Sequence, residues 1–574
     1  MKAFRPSAGI LISLLMAIGI VGCAPNAATT SPGAGQSQAP AAKKILVIAD
    51  SYEPPAITQT FINNAPSSAG NNIMRIVHEG LVYTPEFQVN EPGLASELPS
   101  IDRGTWRINA DGTMETTWHL RPNAKWHDGH QFTSDDLAFT YKAGRDPEIA
   151  GTGVSASDRL IDSVSAPDPL TFVMHWNAPF VDAAITGVGP ILPKHLAEDL
   201  YLKDKLTLPG NPVFASGFVG LGPYRLAQWE RGSHFETVRF DEYYRGRPAL
   251  DGITVRFVSD PNVLVVQVLS GFADAAISSS SSGVSLDQAL EAKKRWEGTS
   301  NQVLLTRSGL AVWAEAQYRA EYARPVGTMD SLQVRRALLQ SINLPALNDV
   351  MTFGLAPQVD SYFLPDEPAR PTVESHIVKY PYDPARAAQL FNEAGWSRGT
   401  DGILTRQTDG QKLALDFWVR AGSGEKVASI VADDWTRAGV AANPYVIPAA
   451  LRTDREYEAK RSGFLCCVRV GLSSFYGGKL HQRQINSEAT RWQGINYGGY
   501  TNPRADSLLD QINSTMDPKA RLPLEQQLVN LYTSEVAILP MWWEIWPQLL
   551  VQGVKGPRVN AAAPTGNIFE WTKE

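Results

Sequence analysis

The stretch DGTMETTWHLRPNAKWHDGHQFTSDDLAFTYK, residues 111–142, contains the signals of a strand, a turn and a capped helix in immediate succession. Residues 116–121 alternate between apolar and polar side chains, which predicts a half-buried strand. Arg121-Pro122-Asn123 then predicts a turn. Thr133-Ser134-Asp135-Asp136 predicts a helix start, because the Thr133 hydroxyl can accept from the Asp136 amide while the Asp136 carboxylate reaches back.

The same kinds of signal occur on both sides of this stretch. Short β-branched or alternating runs at 45–49, 171–176 and 253–258 predict further strands. Four helices are predicted from Asx-Pro pairs, in which the Asx side chain caps an orphan amide and the proline loses no needed donor. These pairs are Asp260-Pro261, Asp383-Pro384, Asn502-Pro503 and Asp517-Pro518. Because strands and capped helices alternate through most of the chain, we expect an α/β fold.

The composition is that of a large folded protein. The chain has 574 residues, 43% of them hydrophobic, and a formal net charge of −7. Disorder requires low hydrophobicity and high net charge, so it is excluded for the bulk of the chain. The length predicts two or three lobes. Mild acidity without a cluster of basic residues argues against a nucleic-acid partner.

The first residues indicate an export signal and a membrane anchor. Lys2 and Arg5 precede an apolar run of 14 residues, 8–21, which is too short to span a bilayer as a helix. This run ends in Gly22-Cys23 and resembles the bacterial lipobox. We therefore expect a lipoprotein signal peptide over 1–22, lipidation of Cys23 and a flexible tether over 23–42. The alternative is a plain signal peptide with an accidental cysteine.

The sequence contains no common catalytic or metal-binding motif. There is neither a GxSxG elbow nor an HExxH pair. His127 and His130 flank Asp128-Gly129, which predicts a surface turn, so we expect no metal and no cofactor. Cys466 and Cys467 are adjacent in the apolar run 464–470. We expect them to be two small buried side chains of a strand, without a bridge between them.

Nine stretches together resemble the family 5 extracellular solute-binding proteins, the peptide/nickel-type receptors of bacterial ABC importers. They occur in the order typical of that family, and each one corresponds to a capped helix, a strand or a turn. The stretches are EPGLASELPS (91–100), the stretch 111–142 quoted above, ILPKH (191–195), GLGPYRLAQWERG (220–232), FDEYYRGRPALDGITVRF (240–257), VLSGFADAAI (268–277), VRRALLQSIN (334–343), YDPARAAQLFNEAGW (382–396) and NYGGYTNPRADSLLD (496–510).

The resemblance implies a bilobal, three-part binding protein that closes on a small solute and delivers it to a membrane permease. By analogy, lobe I comprises about 43–78, 212–310 and 530–574, lobe II about 79–211, and lobe III about 311–529. We expect a monomer in the periplasm or cell envelope, anchored through its lipid and without enzymatic activity. The favoured solute is an oligopeptide or peptide-like compound. The alternatives are a sugar, an opine or a nickel complex, or a lipid-anchored hydrolase.

The resemblance also suggests which side chains contact the solute. They are Tyr52, Glu53, Trp418, Arg469, Ser474 and Trp543. Peptide-binding members carry an aspartate shortly after the strand of Arg469, where it pairs with the α-amino group of the ligand, but residues 470–478 contain no Asp or Glu. We therefore expect binding that does not require a cationic amino terminus, unless Glu53 or Glu544 supplies the carboxylate.

Overall fold

Ten strands form one mixed sheet that is the framework of the molecule. The computed structural model describes residues 43–54, 68–86, 89–149, 158–188, 190–208, 211–212, 215–277, 283–452, 454–471, 478–559 and 563–574. Residues 44–574 form one compact unit. The strands are β1 (Ile45–Asp50), β2 (Val82–Glu86), β3 (Val89–Pro92), β4 (Trp106–Ile108), β5 (Met114–His119), β6 (Ile161–Asp168), β7 (Thr171–Trp176), β8 (Tyr224–Glu230), β9 (His234–Arg239), β10 (Gly252–Phe257), β11 (Ala275–Ile277), β12 (Gln302–Ala316), β13 (Trp396–Arg398), β14 (Leu404–Arg406), β15 (Ala414–Val419), β16 (Ala441–Val446), β17 (Phe464–Val470), β18 (Leu539–Leu550), β19 (Val554–Lys555) and β20 (Thr572–Lys573).

The α-helices of the described residues alternate with these strands. They are α1 (Ser68–Val77), α2 (Ser134–Arg145), α3 (Lys194–Asp204), α4 (Pro261–Leu269), α5 (Leu286–Arg295), α6 (Leu332–Ser341), α7 (Leu344–Thr352), α8 (Arg370–Val373), α9 (Pro384–Glu393), α10 (Ser423–Ala438), α11 (Arg455–Ala459), α12 (Pro503–Ser514) and α13 (Pro518–Glu535).

The large sheet has two halves joined by two long strands. Its order is β16-β15-β17-β12-β18-β11-β1-β10-β9-β8. We call β8–β11 with β1 the N-half-sheet, and β15–β17 the C-half-sheet. Within the described part of the chain, β12 and β18 are the only strands that join the two halves.

Helices cover both faces of each half-sheet. In the C-half-sheet, Phe417 packs in one core with residues of α6, α9 and α10, and Trp313 of β12 packs in another with residues of α12 and α13. In the N-half-sheet, Ile48 packs with α1 and Ala49 with α4 and α5. A sheet covered on both faces needs apolar residues at successive positions, as in the run 45–49.

A separate four-stranded sheet, β4-β5-β7-β6, has its own core of large aromatic side chains that includes Trp118, Trp126 and Trp176. The hairpin 124–131 and helix α2 close this core, and the hairpin and most of the helix belong to the stretch 111–142.

The predicted strands and helix starts are confirmed. Strand β7 has the predicted bounds, while β1, β5 and β10 differ by one or two residues. Each of the four Asx-Pro pairs begins a helix, and each Asx side chain accepts a backbone hydrogen bond there. At Thr133 the Asp136 carboxylate accepts from the Thr133 amide at 3.0 Å, as expected. The lobe boundaries stay a prediction.

Candidate functional site

The carboxyl ends of the parallel strands in the two half-sheets point toward each other. Strands β1 and β10 run parallel and end at Asp50 and Phe257. Strands β15 and β16 run parallel in the opposite direction and end at Val419 and Val446. In open α/β sheets, ligands bind in the crevice outside the carboxyl ends of the strands. Here two such edges face one gap, which we call the inter-sheet gap.

The two long strands form the base of this gap. Gln548 of β18 is level with the end of β11, and Trp543 is level, through β12, with the end of β17. Residues 543–548 therefore cross the gap, a length of about 17 Å at ~3.4 Å per residue. On β12 the ladder is interrupted between Arg307 and Ala311 by a bulge that contains Gly309 at φ +71°.

An ion pair lies at the base of the gap beside this bulge. Arg469 of β17 reaches across β12 and donates from Nε and Nη2 to the two carboxylate oxygens of Glu544, each at 2.6 Å. The side chains are only 25% and 11% exposed. The Glu544 carboxylate raises the pKa of Arg469, against the opposing effect of burial. A planar guanidinium and a carboxylate in this bidentate geometry form a strong, oriented pair.

Two further arginines near the gap are also paired. Arg307, on the segment of β12 that crosses the gap, contacts the Asp366 carboxylate. Arg420 follows the last residue of β15 and donates to Glu458 at 2.7 Å. Positive and negative side chains therefore occur together around the gap, and their formal charges cancel in pairs.

Two carboxylates lie at or just beyond the end of β1, and both have hydrogen-bond donors. Glu53 accepts from the Trp229 indole and from the Gly232 amide, each at 2.9 Å, and lies near Arg231. Asp50 is buried and accepts from the Tyr52 amide at 3.0 Å. Burial raises the pKa of Asp50 to about 7, although hydrogen bonds from the backbone and from a side chain of α1 oppose the shift.

Comparison with known proteins identifies the family of the chain. The family model described as "Bacterial extracellular solute-binding proteins, family 5 Middle" matches residues 91–466, which is more than half of the chain. The chain belongs to this family. The oligopeptide-binding protein AppA of Bacillus subtilis (strain 168) is 21% identical over 579 residues, and the match spans 99% of each chain.

Solved structures of bilobal binding proteins share the fold. NikZ from Campylobacter jejuni, in complex with Ni(L-His), has a TM-score of 0.74 at 19% identity, covering 93% of this chain and 100% of that chain. The oligopeptide-binding protein of Thermus thermophilus, complexed with a pentapeptide, has a TM-score of 0.73 at 22% identity, covering 92% of this chain and 96% of that chain. The prediction of an α/β binding-protein fold is therefore confirmed.

In this solute-binding protein, the predicted contact residues do not form one cluster. Tyr52 and Glu53 follow β1, and Glu53 attaches that segment to the tip of the β8–β9 hairpin. Arg469 lies at the base of the gap. Ser474 lies outside the described residues. The role of these side chains in binding stays a prediction.

Trp418 belongs to an aromatic cluster on β15, β16 and α11. Its ring centroid lies 4.6 Å from that of Tyr445 and 5.0 Å from that of Tyr457. The two tyrosine hydroxyls are 2.6 Å apart, and this hydrogen bond raises the pKa of Tyr457 to about 12. The strand register places Trp418 on the opposite face of the sheet from Arg469.

Trp543 is 2% exposed and packs in the core between β12, β18 and the helices α12 and α13. A solute can reach this ring only if the surrounding side chains move.

The adjacent cysteines differ in their surroundings. Both thiols are free, and their Sγ atoms are 2.8 Å apart. Cys466 is buried, which raises the pKa of its thiol well above the usual value. Cys467 is only partly buried and has φ +71° at a bulge of the β12–β17 ladder, because Cys466 pairs with Ala314 and Val468 with Trp313. The expectation of two buried strand residues is therefore correct for Cys466, whereas Cys467 lies in the strand but is only partly buried.

A cavity of about 360 Å³ lies behind the gap, next to the C-half-sheet. Its strand residues are Trp313 of β12 and Pro540 of β18, and the rest of its wall includes Tyr362, Tyr532 and Ile538. Trp313 pairs with Val468 of β17 and with Pro540 of β18, so the cavity lies alongside the paired part of the C-half-sheet.

Sequence reasoning did not identify Arg307 or Asp50 and indicated Glu544 only as an alternative. The segment LTRSGL, 305–310, did contain a signal, since a charged residue and a glycine interrupt an apolar strand. Pairing across strands distant in sequence could not be foreseen.

None of the helices in the described part of the chain combines the length and the apolar character that a membrane-spanning helix requires.

Proposed function

We propose that this chain is the receptor of an ABC importer and captures a peptide or peptide-like solute in the inter-sheet gap. The observation that carries the proposal is the pair of facing carboxyl-end edges joined only, among the described strands, by β12 and β18. A ligand that contacts both edges binds the closed form better than the open form, and this difference in affinity drives closure. Delivery to a membrane permease needs no covalent chemistry on the receptor.

The relatives support a peptide as the solute class. AppA of Bacillus subtilis is named an oligopeptide-binding protein, and the Thermus thermophilus structure holds a pentapeptide. NikZ instead holds Ni(L-His), so a nickel complex remains the second candidate. In both classes the solute is small and polar and carries amide or carboxylate groups.

The charges around the gap favour a peptide whose amino terminus is blocked or not recognised. A buried ammonium requires a carboxylate partner, since an unpaired buried charge costs several kcal/mol. Glu544 is paired with Arg469, Asp366 with Arg307, and Glu458 with Arg420. Glu53 accepts from Trp229 and Gly232 and lies 3.6 Å from Arg231, so it also has partners within the protein. Residues 470–478 add no carboxylate. Backbone amides and carbonyls of an extended peptide can still bond to strand ends and polar side chains.

Calorimetry with a peptide and its N-acetylated twin tests this proposal. We expect the two peptides to bind with affinities within tenfold of each other, and mass spectrometry to recover both unchanged after hours. Tighter binding of the free amine by more than tenfold, about 1.4 kcal/mol, would contradict the proposed site. Hydrolysis of either peptide would favour the hydrolase alternative. If neither peptide binds, titration with Ni²⁺–histidine tests the second candidate, and native mass spectrometry of protein from its own host identifies a retained solute.

We further propose that the receptor is held at the membrane through a lipid on Cys23, with 23–42 as a tether. These residues lie outside the described part of the chain, so the support is the short apolar run that ends in Gly22-Cys23. Tethering raises the effective concentration of the receptor near its permease. Replacing Cys23 with Ser should move the protein to the soluble envelope fraction or stop its processing. Unchanged membrane fractionation with normal cleavage would exclude the lipid anchor.

A further inference from the structure

Two histidines and an aspartate meet on the surface beside the four-stranded sheet, in a part of the chain that the proposed solute site does not use. His195 Nε2 lies 2.7 Å from one carboxylate oxygen of Asp128, and His130 Nδ1 lies 3.2 Å from the other. The two imidazole rings stack with centroids 4.0 Å apart. One ligand atom from each residue lies within 4.8 Å of the other two.

From this geometry we propose that Asp128, His130 and His195 form a binding site for a first-row transition-metal dication such as Zn²⁺. Two imidazole nitrogens and one carboxylate oxygen suit such an ion and leave a fourth position for water or another ligand. The metal takes the place of the hydrogen bonds that now join each imidazole to the carboxylate. The site is distinct from the inter-sheet gap, and its role does not depend on the solute.

Asp128 is held in position by its neighbours along the chain. It occupies a tight hairpin in which the Trp126 carbonyl accepts from the Gly129 amide at 2.9 Å, and Gly129 has φ +92°. The preceding residue, His127, is buried and bonded on both ring nitrogens, to the Gly222 carbonyl at 3.0 Å and to the Gly220 amide at 3.1 Å. The carboxylate therefore projects from a rigid turn.

His195 is held by a second set of contacts. It lies in the first turn of α3, and the preceding amide, that of Lys194, donates to the buried carboxylate of Asp136 at 2.9 Å. The same side chain accepts from the Trp126 indole at 3.2 Å, which ties the start of α3 to the hairpin. Such outer contacts orient metal ligands before the ion arrives. The packing of the hairpin against the helix start thus fixes two of the three ligands.

His130 is the adjustable ligand. Its side chain is 61% exposed, so it can rotate without disturbing the core. A tetrahedral ion with bonds of about 2.0–2.1 Å needs its ligand atoms about 3.4 Å apart. The three ligand atoms now lie within 4.8 Å of one another, and rotation of the exposed His130 ring can shorten this spacing. The nearby Lys194 does not oppose a cation with an unpaired charge, because it is paired with Asp135 at 3.2 Å.

The sequence predicts a surface turn without a metal at residues 127–130. The turn is correct for Asp128-Gly129, but His127 is buried, and the decisive ligand is His195 in the distant segment ILPKH. Only the packing of α3 against the hairpin brings it within 2.7 Å of Asp128.

Calorimetric titration with Zn²⁺, on protein purified without a polyhistidine tag and dialysed against EDTA, tests the site. We expect one saturable site per chain, weakened at least tenfold in His130→Ala and in His195→Ala. The matched control is His175→Ala, which removes a histidine paired with Glu115 at 3.1 Å but outside the three-residue cluster, and it should leave the affinity unchanged. Mg²⁺ should not compete, because it prefers oxygen ligands.

Three results would overturn the proposal. The first is that the unmodified chain shows no saturable Zn²⁺ binding. The second is that His130→Ala binds Zn²⁺ as tightly as the unmodified chain. The third is that binding is lost only when Cys466 and Cys467 are replaced. Because His130 is exposed, we expect His130→Ala to fold even if His195→Ala does not. The comparison of Zn²⁺ affinity between His130→Ala and the control His175→Ala then still tests the site.

Discussion

Arg469 and Glu544 stabilise each other at a position where neither is fully hydrated. Removal of one partner leaves a partly buried charge, whereas removal of both leaves none. We expect Arg469→Leu to lower the free energy of unfolding by about 3 kcal/mol, measured by urea denaturation, because Glu544 then loses both of its short hydrogen bonds.

The double variant Arg469→Leu/Glu544→Leu is the control for this prediction. It should be more stable than Arg469→Leu alone, and with Glu544→Leu as the second single variant the cycle should give a coupling energy of about 1–3 kcal/mol. Additive losses would mean that the two charges do not stabilise each other despite their 2.6 Å contacts.

Asp50 makes stability depend on pH in a defined direction. Burial raises its pKa from an unfolded value of 3.8 to about 7. Between these values the folded chain keeps the proton and the unfolded chain loses it, so the free energy of unfolding falls as pH rises. The loss is complete above pH 7 and amounts to at most about 4 kcal/mol. In Asp50→Asn this contribution should be absent.

The difference between Asp50→Asn and the unmodified chain isolates this contribution. His78 and His127 have pKa values lowered by burial to about 3 and about 4, so they lower stability as pH falls below 6.5. These histidines are present in both proteins, so their opposite effect on the pH dependence of stability cancels when one stability curve is subtracted from the other. The variant should gain stability relative to the unmodified chain from pH 4 to pH 7, measured by urea unfolding. A constant difference over that range would show that Asp50 is ionised in the fold.

At the scale of elements, the bulge of β12 depends on Gly309. Its φ of +71° lies in the left-handed region, where a side chain costs roughly 1–2 kcal/mol. Gly309→Ala should therefore lower the free energy of unfolding by about that amount. Gly144 in helix α2 is the matched control. It is exposed, no atom lies within 4 Å of the position that a Cβ would occupy, and its replacement by Ala should add about 0.5 kcal/mol of stability.

The thermal midpoints of the two glycine variants should move in opposite directions. A fall for both would mean that position 144 does not tolerate a side chain. A rise for both would mean that the bulge relaxes to a conformation with negative φ, and the base of the inter-sheet gap would then be adaptable.

Local elements could be predicted from the sequence because their signals are local. Each Asx-Pro pair carries its own cap, and the alternation in 171–176 gives β7 its bounds. The pairing of β12 with β17 and β18 could not be predicted, since it joins residues more than 140 positions apart and includes bulges. For the same reason, the sequence could place Arg469 on a strand but could not give it Glu544 as a partner. For Trp543 the sequence suggested a contact with the solute, but the ring is buried in the core. Composition cannot distinguish a buried ring from an exposed one.

At the scale of the whole molecule, few strand segments connect the two half-sheets across the gap. Residues 543–548 of β18 and the bulged part of β12 are the strand segments of the described chain that cross it. Thr306 and Gln548 form a buried hydrogen bond at the N-half-sheet side of this crossing, at 3.3 Å. Bending is therefore expected between that bond and the Arg469–Glu544 pair, where the ladder is interrupted.

Closure around a solute should be visible as a change in the size of the molecule. When a ligand contacts both edges of the gap, the closed form gains affinity and its population rises. We expect small-angle scattering to show a decrease in the radius of gyration that saturates with one equivalent of peptide and follows the calorimetric isotherm. To move from mostly open to mostly closed, the ligand must prefer the closed form by about 5.5 kcal/mol, which is more than one polar contact supplies.

A peptide shortened until it reaches only one edge should therefore still bind weakly, but without compaction. If the full-length peptide saturates the calorimetric signal and leaves the radius of gyration unchanged, the half-sheets do not close on it, and the bulge of β12 is not a hinge.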